Sequence, residues 1–388
     1  EMKNTSDANK PKYFTVLASI GGAEALEAVT EGFEAGNVAT KVAAIKALSS
    51  WSDPGAADRL FRISQAEANS EYKEQALVGY IDMIGGADLP AVQKLLLLRK
   101  AFDSAELESK REILKKVGGL DSFHAMTFAG DYLDHPQLQQ DAAMAVTNIA
   151  LESDYHGQVV RTLLEKVISI LNVPDSQYIK QSISKFLEEM PKGDGFVALF
   201  NGEDLTGWKG LVENPIARAK MSENTLKRKQ KAADEEMRQS WIVENGELRF
   251  TGKGNNIATD KKYGDFELLL DWKIYDDGHK EGDAGIYLRG TPQVQMWDTA
   301  RVNVGAQVGS GGLYNNQVHE SDPLLVADNP LGEWNHFRIL MKGERVTVYL
   351  NGELVTDNVV LENYWDRNLP IFPQEAIELQ AHGNELAF

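Results

Sequence analysis

The hydrophobic period of this chain changes once, from three-and-four to two, around Pro191-Lys192-Gly193-Asp194-Gly195. The first period suits a helix with a buried stripe and the second a strand with one buried face, so the halves need different layers and the chain reads as multidomain. Before the change, Val42, Ile45, Leu48 and Trp51 make one helical face. Ala76, Leu77, Tyr80, Ile81 and Ile84 make another, and Ala142, Ala145, Val146 and Ile149 a third. The breaks Ser52-Asp53-Pro54-Gly55, Gly85-Gly86-Ala87-Asp88 and Asp134-His135-Pro136 recur every ~35–50 residues, a spacing that suits stacked helix pairs. Residues 12–190 are therefore predicted to form an all-α helical repeat solenoid.

Beyond the change, Phe266, Leu268, Leu270 and Trp272 alternate with Glu267, Asp271 and Lys273. Similar alternation runs through Ile286 and Leu288, Val294 and Met296, Phe337 to Met341, Val346 to Leu350 and Ile377 to Ala381. Many short strands with Gly/Asn turns predict a sandwich or jelly roll over residues 195–388. A charged, helix-prone insert at about 209–240 contains Lys227-Arg228-Lys229-Gln230-Lys231 and Asp234-Glu235-Glu236. It reads as a solvated helix face, with a lid over a cleft as the lesser reading. Tyr287 and Arg289, Gln293, Gln295 and Trp297, and Glu378, Gln380 and His382 all stand opposite apolar core positions. If their strands are neighbours, they line a groove of amides, aromatics, a guanidinium and an imidazole, groups that suit sugar hydroxyls and the apolar face of a pyranose.

Composition excludes several classes. With 40 Lys+Arg against 58 Asp+Glu, the formal net charge of −18 argues against nucleic acid as a partner. No run approaches the ~18 apolar residues of a transmembrane segment. The absence of cysteine removes disulfides, thiolate metal sites and a cysteine nucleophile.

Phe196-Val197-Ala198-Leu199-Phe200-Asn201-Gly202-Glu203-Asp204-Leu205-Thr206-Gly207-Trp208 resembles the opening of the 3-keto-disaccharide hydrolase domain family. Trp241-Ile242-Val243-Glu244-Asn245-Gly246, Tyr263-Gly264-Asp265-Phe266, Asp283-Ala284-Gly285-Ile286, Gln293-Val294-Gln295-Met296-Trp297-Asp298, Gly332-Glu333-Trp334-Asn335, Asn351-Gly352 and Leu379-Gln380-Ala381-His382-Gly383 follow in that family's order. The helical half resembles HEAT or armadillo repeats by its helix-pair spacing. The first resemblance implies a concanavalin-like jelly-roll sandwich and enzymes of the bacterial periplasm or cell envelope that act on glycosides oxidised at C3. One departure stands out, since many relatives carry Glu where this chain has Gln293.

A ketone at C3 acidifies the C2 proton, so a base, a positive group at the developing enolate oxygen and an acid for the leaving oxygen would give elimination. Later addition of water makes the net change hydrolysis. His382 is the first candidate for base or acid, because imidazole exchanges protons near neutrality. Arg289 is the candidate for the enolate, with Asp298 and Asp271 as alternative carboxylates. Tyr287, Gln293, Gln295, Trp297, Tyr314, Glu378 and Gln380 are the candidate substrate contacts. Asp276-Asp277-Gly278-His279 with Asp283 forms an acidic loop where a divalent metal such as Ca²⁺ is a candidate, although its spacing is not that of an EF-hand. Gly309-Ser310-Gly311-Gly312-Leu313-Tyr314 is expected to be a mobile loop beside the groove. The competing readings are a lectin-like module without catalysis and a scaffold whose solenoid docks a protein partner.

Overall fold

The computed structural model describes residues 9–51, 53–191, 193, 195–276, 278, 281–319 and 321–388. The chain divides into two units, Glu1–Val197 and Ala198–Phe388. Among the described residues the first unit is all-helical: α1 (Lys10–Ile20), α2 (Ala23–Ala35), α3 (Val38–Ser49), α4 (Ala57–Ala66), α5 (Ser70–Gly86), α6 (Ala91–Phe102), α7 (Leu107–Val117), α8 (Phe123–Gly130), α9 (Gln139–Glu152), α10 (Gln158–Ile170) and α11 (Ser176–Glu189). Each helix packs chiefly on the next and the next but one. The odd-numbered helices stack in one row, and the even-numbered helices join successive members of it. That is the local, repeating contact pattern of a helical solenoid.

Side-chain caps start several of these helices. Asn37 accepts from Thr40 N at 3.1 Å, Asn69 from Glu71 N and Tyr72 N, and Ser122 from Ala125 N, each satisfying a donor the helix leaves unpaired. The predicted stripes are buried at Ile45, Leu48 and Trp51, at Leu77, Tyr80 and Ile84, and at Val146 and Ile149. Val42 differs, being 38% exposed. No helix among the described residues is long and apolar enough to cross a membrane.

The second unit holds β1 (Trp208–Gly210), α12 (Pro215–Ala219), α13 (Glu223–Ser240), β2 (Trp241–Glu244), β3 (Glu247–Phe250), β4 (Ile257–Thr259), β5 (Phe266–Ile274), β6 (Asp283–Leu288) and β7 (Thr291–Trp297). It continues with β8 (Asn335–Lys342), β9 (Arg345–Leu350), β10 (Glu353–Val360), β11 (Glu378–His382) and β12 (Leu386–Ala387). Two sheets form, in the orders β1-β4-β11-β6-β7 and β10-β9-β8-β5-β12-β3-β2. They share one core. Ile257, Ile286, Val294, Met296 and Leu379 come from the first sheet, and Leu268, Trp272, Phe337, Ile339 and Val348 from the second. Trp272 and Phe337 lie with ring centroids 5.4 Å apart. A β-sandwich results because alternate residues along most of the strands are apolar and both apolar faces must leave water.

Two hairpins show how turn chemistry sets register. Asn245-Gly246 joins β2 to β3 and Asn351-Gly352 joins β9 to β10, with φ of 54°, 80°, 53° and 89°. A two-residue turn with both φ positive suits Asn-Gly and matches the twist of the strands it connects. The charged insert follows β1 and is helical. α13 fastens to β1 through Gly210 N to Asp234 Oδ1 at 3.0 Å and Gln230 Nε2 to Gly210 O at 2.8 Å. Its Met237 joins the core, whereas Lys227 and Arg228 stay in water.

Candidate active site

In the five-stranded sheet β11 lies between β4 and β6, and β6 lies between β11 and β7. Glu378 stands opposite Tyr287, Gln380 opposite Gly285, and His382 opposite Asp283. Gly285 then faces Gln295, and Asp283 faces Trp297. Because Leu379, Ala381, Ala284, Ile286, Val294 and Met296 turn into the core, the intervening residues share the other face. The residues predicted to line a groove are thereby neighbours, apart from Arg289.

The amides form a directed chain. Gln293 Nε2 donates to Gln295 Oε1, and Gln295 Nε2 donates to Asp283 Oδ1 at 2.8 Å and Met296 O at 3.0 Å. Gly285 leaves the space for this, since a Cβ there would stand 2.8 Å from Gln293 Cδ. Asp283 Oδ2 is 3.8 Å from His382 Nε2 and 3.9 Å from Arg301 Nη1. Trp297 and Tyr314 meet edge to face at 5.3 Å, and the Arg301 guanidinium lies 6.0 Å from the Trp297 ring. This end is open, with the His382 side chain 56% exposed.

The other end is closed. Glu378 is 2% exposed, and Arg218 from α12 places Nη2 3.7 Å from Glu378 Oε1 and 3.7 Å from Glu375 Oε2. Burial pushes the Glu378 carboxyl up to about 7, opposed by the Arg218 charge and reinforced by Glu375. Tyr287 is pushed up to about 12, mainly by burial and then by the Glu378 charge. Arg218 is steadied from its own segment, donating to Val212 O at 3.1 Å and Glu213 O at 2.6 Å. Lys262 Nζ donates to Glu375 Oε2 at 3.0 Å.

Three candidate catalytic residues are placed elsewhere. Arg289 follows the last residue of β6 with φ 51°, and its Nε donates to Gly264 O at 2.9 Å and its Nη2 to Asp265 Oδ1 at 2.5 Å. Its fork fastens the segment before β5 rather than facing the amides. We expect Arg289→Ala to cost about 2 kcal/mol, two charge-assisted bonds discounted because Asp265 is 61% exposed. Urea unfolding measures this, and an unchanged midpoint would remove the structural role. Asp271 belongs to the seven-stranded sheet, opposite His336, whose Nδ1 lies 2.9 Å from Asp271 Oδ1. Leu268 and Trp272 point into the core, so Asp271 is on that sheet's outer face. Asp298 closes the turn after β7, donating from N to Gly282 O and accepting from Ala300 N, both at 3.0 Å. It lines a small cavity with Trp272 and Asn335 instead of the polar face.

The glycine-rich stretch is fastened, not loose. Gly311 N donates to Gln295 O at 2.8 Å, Gln295 N to Gly312 O at 3.0 Å, and Leu313 bridges Val294, which holds Tyr314 at the aromatic corner. Of the acidic loop, Asp277 and His279 lie outside the described residues. Asp283 opens β6, and its neighbours among the described residues are an amide, an imidazole and an arginine. Arg218 and Arg301 are the residues that sequence reasoning missed. Arg218 sits on a short helix, and Arg301 returns over Trp297 because of the Asp298 turn. Neither position has a period to signal it.

The profile of the 3-keto-alpha-glucoside-1,2-lyase-like domain matches residues 195–388, half of the chain. The 3-keto-disaccharide hydrolase of Bacteroides thetaiotaomicron is 22% identical over 218 residues, which span 49% of this chain and 67% of that protein. A chain from Parabacteroides distasonis ATCC 8503, provisionally described as a glycosyl hydrolase, is 21% identical. The likeness covers 49% of this chain and 89% of that one, with a TM-score of 0.34. The archaeal HEAT-like repeats protein from Thermococcus onnurineus NA1 is 15% identical, covering 60% of this chain and 96% of its own, with a TM-score of 0.30.

Proposed function

Since this chain belongs, through residues 195–388, to the 3-keto-alpha-glucoside-1,2-lyase-like domain family, we propose that it is a carbohydrate-acting enzyme that cleaves 3-keto-glycosides, 3-keto-disaccharides among them. The reaction is C2 proton abstraction, elimination of the aglycone and addition of water, for a net hydrolysis. The observation that supports this reading is the hydrogen-bonded row Gln293–Gln295–Asp283, set between the His382 imidazole and the Trp297–Tyr314 corner. Amides and a carboxylate hold hydroxyls in fixed orientation, and an aromatic corner accepts the apolar face of a sugar. His382, open to solvent and facing Asp283, is suited to protonate the leaving oxygen as the aglycone departs.

The same family membership supports a concanavalin-like jelly roll and an address in the bacterial periplasm or cell envelope; the stacked helices of the other unit suit the docking of a protein partner. A second reading, sugar binding without cleavage, is favoured by one residue: Gln293 is an amide where many relatives have a carboxylate. A 3-keto-glucoside with a chromogenic aglycone, assayed beside its unoxidised counterpart, decides between them. Release from the keto substrate alone is expected, falling at least ~100-fold in His382→Ala. Binding of both sugars with release from neither would leave the binding module. Loss of the rate in EDTA would add a divalent metal such as Ca²⁺ to the reaction.

A further inference from the structure

We infer that Glu378 is the base that removes the C2 proton, and that Arg218, brought over it by the helical insert, faces the enolate oxygen that then forms at C3. The inference rests on the keto-glycoside reading and adds two residues to it.

The geometry begins with unmet acceptors. Glu378 Oε1 and Gln380 Oε1 are both buried without a hydrogen-bond partner among the described residues, and both residues are more than nine-tenths buried. A buried acceptor left in that state is unfavourable, so the pair calls for a ligand that brings donors. A 3-keto-glucoside offers hydroxyls as donors and one carbonyl as a strong acceptor. Arg218 supplies the complementary cation at this end. Its Nη2 is 3.7 Å from both Glu378 and Glu375, an ion-pair distance rather than a hydrogen bond, which leaves donors to turn toward a new oxygen.

The strand then sets the order of parts. Glu378 and His382 point to one face of β11 with Gln380 between them, four residues apart and so roughly 13 Å along the strand. A pyranose over Gln380 would direct its oxidised carbon to the closed end and its aglycone to the open aromatic end. The Glu378 carboxylate takes the C2 proton, and the C–H electron pair becomes the enolate, whose negative oxygen at C3 meets Arg218. Collapse of the enolate restores the carbonyl, forms the C1–C2 double bond and breaks the C1–O bond. That pair leaves on the aglycone oxygen, which takes a proton from His382. Water then adds its oxygen to C1, giving its spare proton to His382, and Glu378 returns its proton to C2. No oxidant or reductant is consumed.

The charged and titratable groups around Glu378 are Arg218 from α12, Glu375 from the segment before β11, Lys262 through Glu375, and Tyr287 from β6. β4 contributes only Ala258 opposite it. Burial outweighs Arg218 and holds the carboxyl up near 7, which makes its ionised form a stronger base than an ordinary glutamate. α12 covers this end. Its hold on the acidic pair is the two 3.7 Å ion pairs, with Pro215 seated against Gly290, so its outward movement would admit the sugar.

The test uses 3-keto-1,5-anhydroglucitol, which has no aglycone to lose, in deuterium oxide, with C2 deuteration followed by NMR beside cleavage of the chromogenic keto-glucoside. The unaltered protein should do both. Glu378→Gln, close to isosteric, should lose both by at least ~100-fold while still binding the keto sugar, and Glu378→Asp should recover part of the exchange. Arg218→Gln should slow exchange with Glu378 intact. Exchange at the full rate in Glu378→Gln overturns the assignment of the base, and the full rate in Arg218→Gln overturns that of Arg218. If the unaltered protein binds the keto sugar but neither exchanges nor cleaves it, the keto-glycoside reading itself fails and the base role falls with it.

Discussion

Acidification from pH 5 to below pH 2 should remove about 3 kcal/mol of folding stability through one carboxylate, Glu362, and a Glu362→Gln chain should lack that loss. Burial raises this carboxyl, but the N–H groups of His319, Gln317 and Val318 and the His319 ring outweigh it, bringing it from 4.5 to about 2. Oε1 accepts from Val318 N at 2.7 Å, from His319 N at 2.8 Å and from His319 Nδ1 at 3.1 Å. Oε2 accepts from Gln317 N at 2.9 Å and Arg367 Nη1 at 2.8 Å. Three successive backbone N–H groups on one anion make a nest. A folded value below the unfolded one means the stabilisation is complete above about 4.5 and is lost as pH falls through about 2. At ~1.4 kcal/mol per pH unit, that interval gives the stated size. The loss would start in the strap that carries Tyr314, since Arg367 also donates to Asn315 O at 2.7 Å. Urea unfolding of both chains at pH 7, 4 and 2 measures it. Parallel curves would show that the nest does not favour the ionised form.

The polar face was legible because a strand alternates strictly. Once Leu379, Ala381, Ile286, Val294 and Met296 are assigned to the core, Glu378, Gln380, Tyr287, Gln293 and Gln295 must turn the other way. The same rule fails for Arg289, which follows the last residue of β6 with a positive φ, where alternation no longer fixes direction. It fails differently for Asp271. The period tells which side of a strand a residue occupies but not which sheet the strand joins, and β5 pairs with β8 and β12 instead of β6. Helix pairing was legible from the spacing of breaks. The two arginines of the face were not, because α12 and the Asp298 turn are aperiodic and reach the sheet through tertiary contacts alone.

Glu378→Gln should stabilise the folded chain by about 2–3 kcal/mol at pH 8.5 and by almost nothing at pH 4, the reverse of the behaviour expected at Glu362. The folded carboxyl titrates at about 7 against 4.5 for the ordinary group, because burial penalises the charged form more than Arg218 favours it. A raised value leaves full stability below about 4.5 and removes it as pH rises through about 7, at ~1.4 kcal/mol per unit. An amide of the same shape does not ionise, so its advantage grows across that window and is constant above it. The comparison is between chemical unfolding midpoints of the two chains at pH 4, 6 and 8.5. Equal stability at pH 8.5 would mean that Arg218 compensates the burial completely and that Glu378 is an ordinary acid. A gap that opens between pH 4.5 and 7 would show a carboxylate kept at a thermodynamic disadvantage in the closed end of the groove. Selection for folding alone would replace such a group with glutamine, and Gln380 and Gln293 show that glutamine is tolerated on the same face. A gap of that kind would be the cost in stability of the base role inferred above for Glu378.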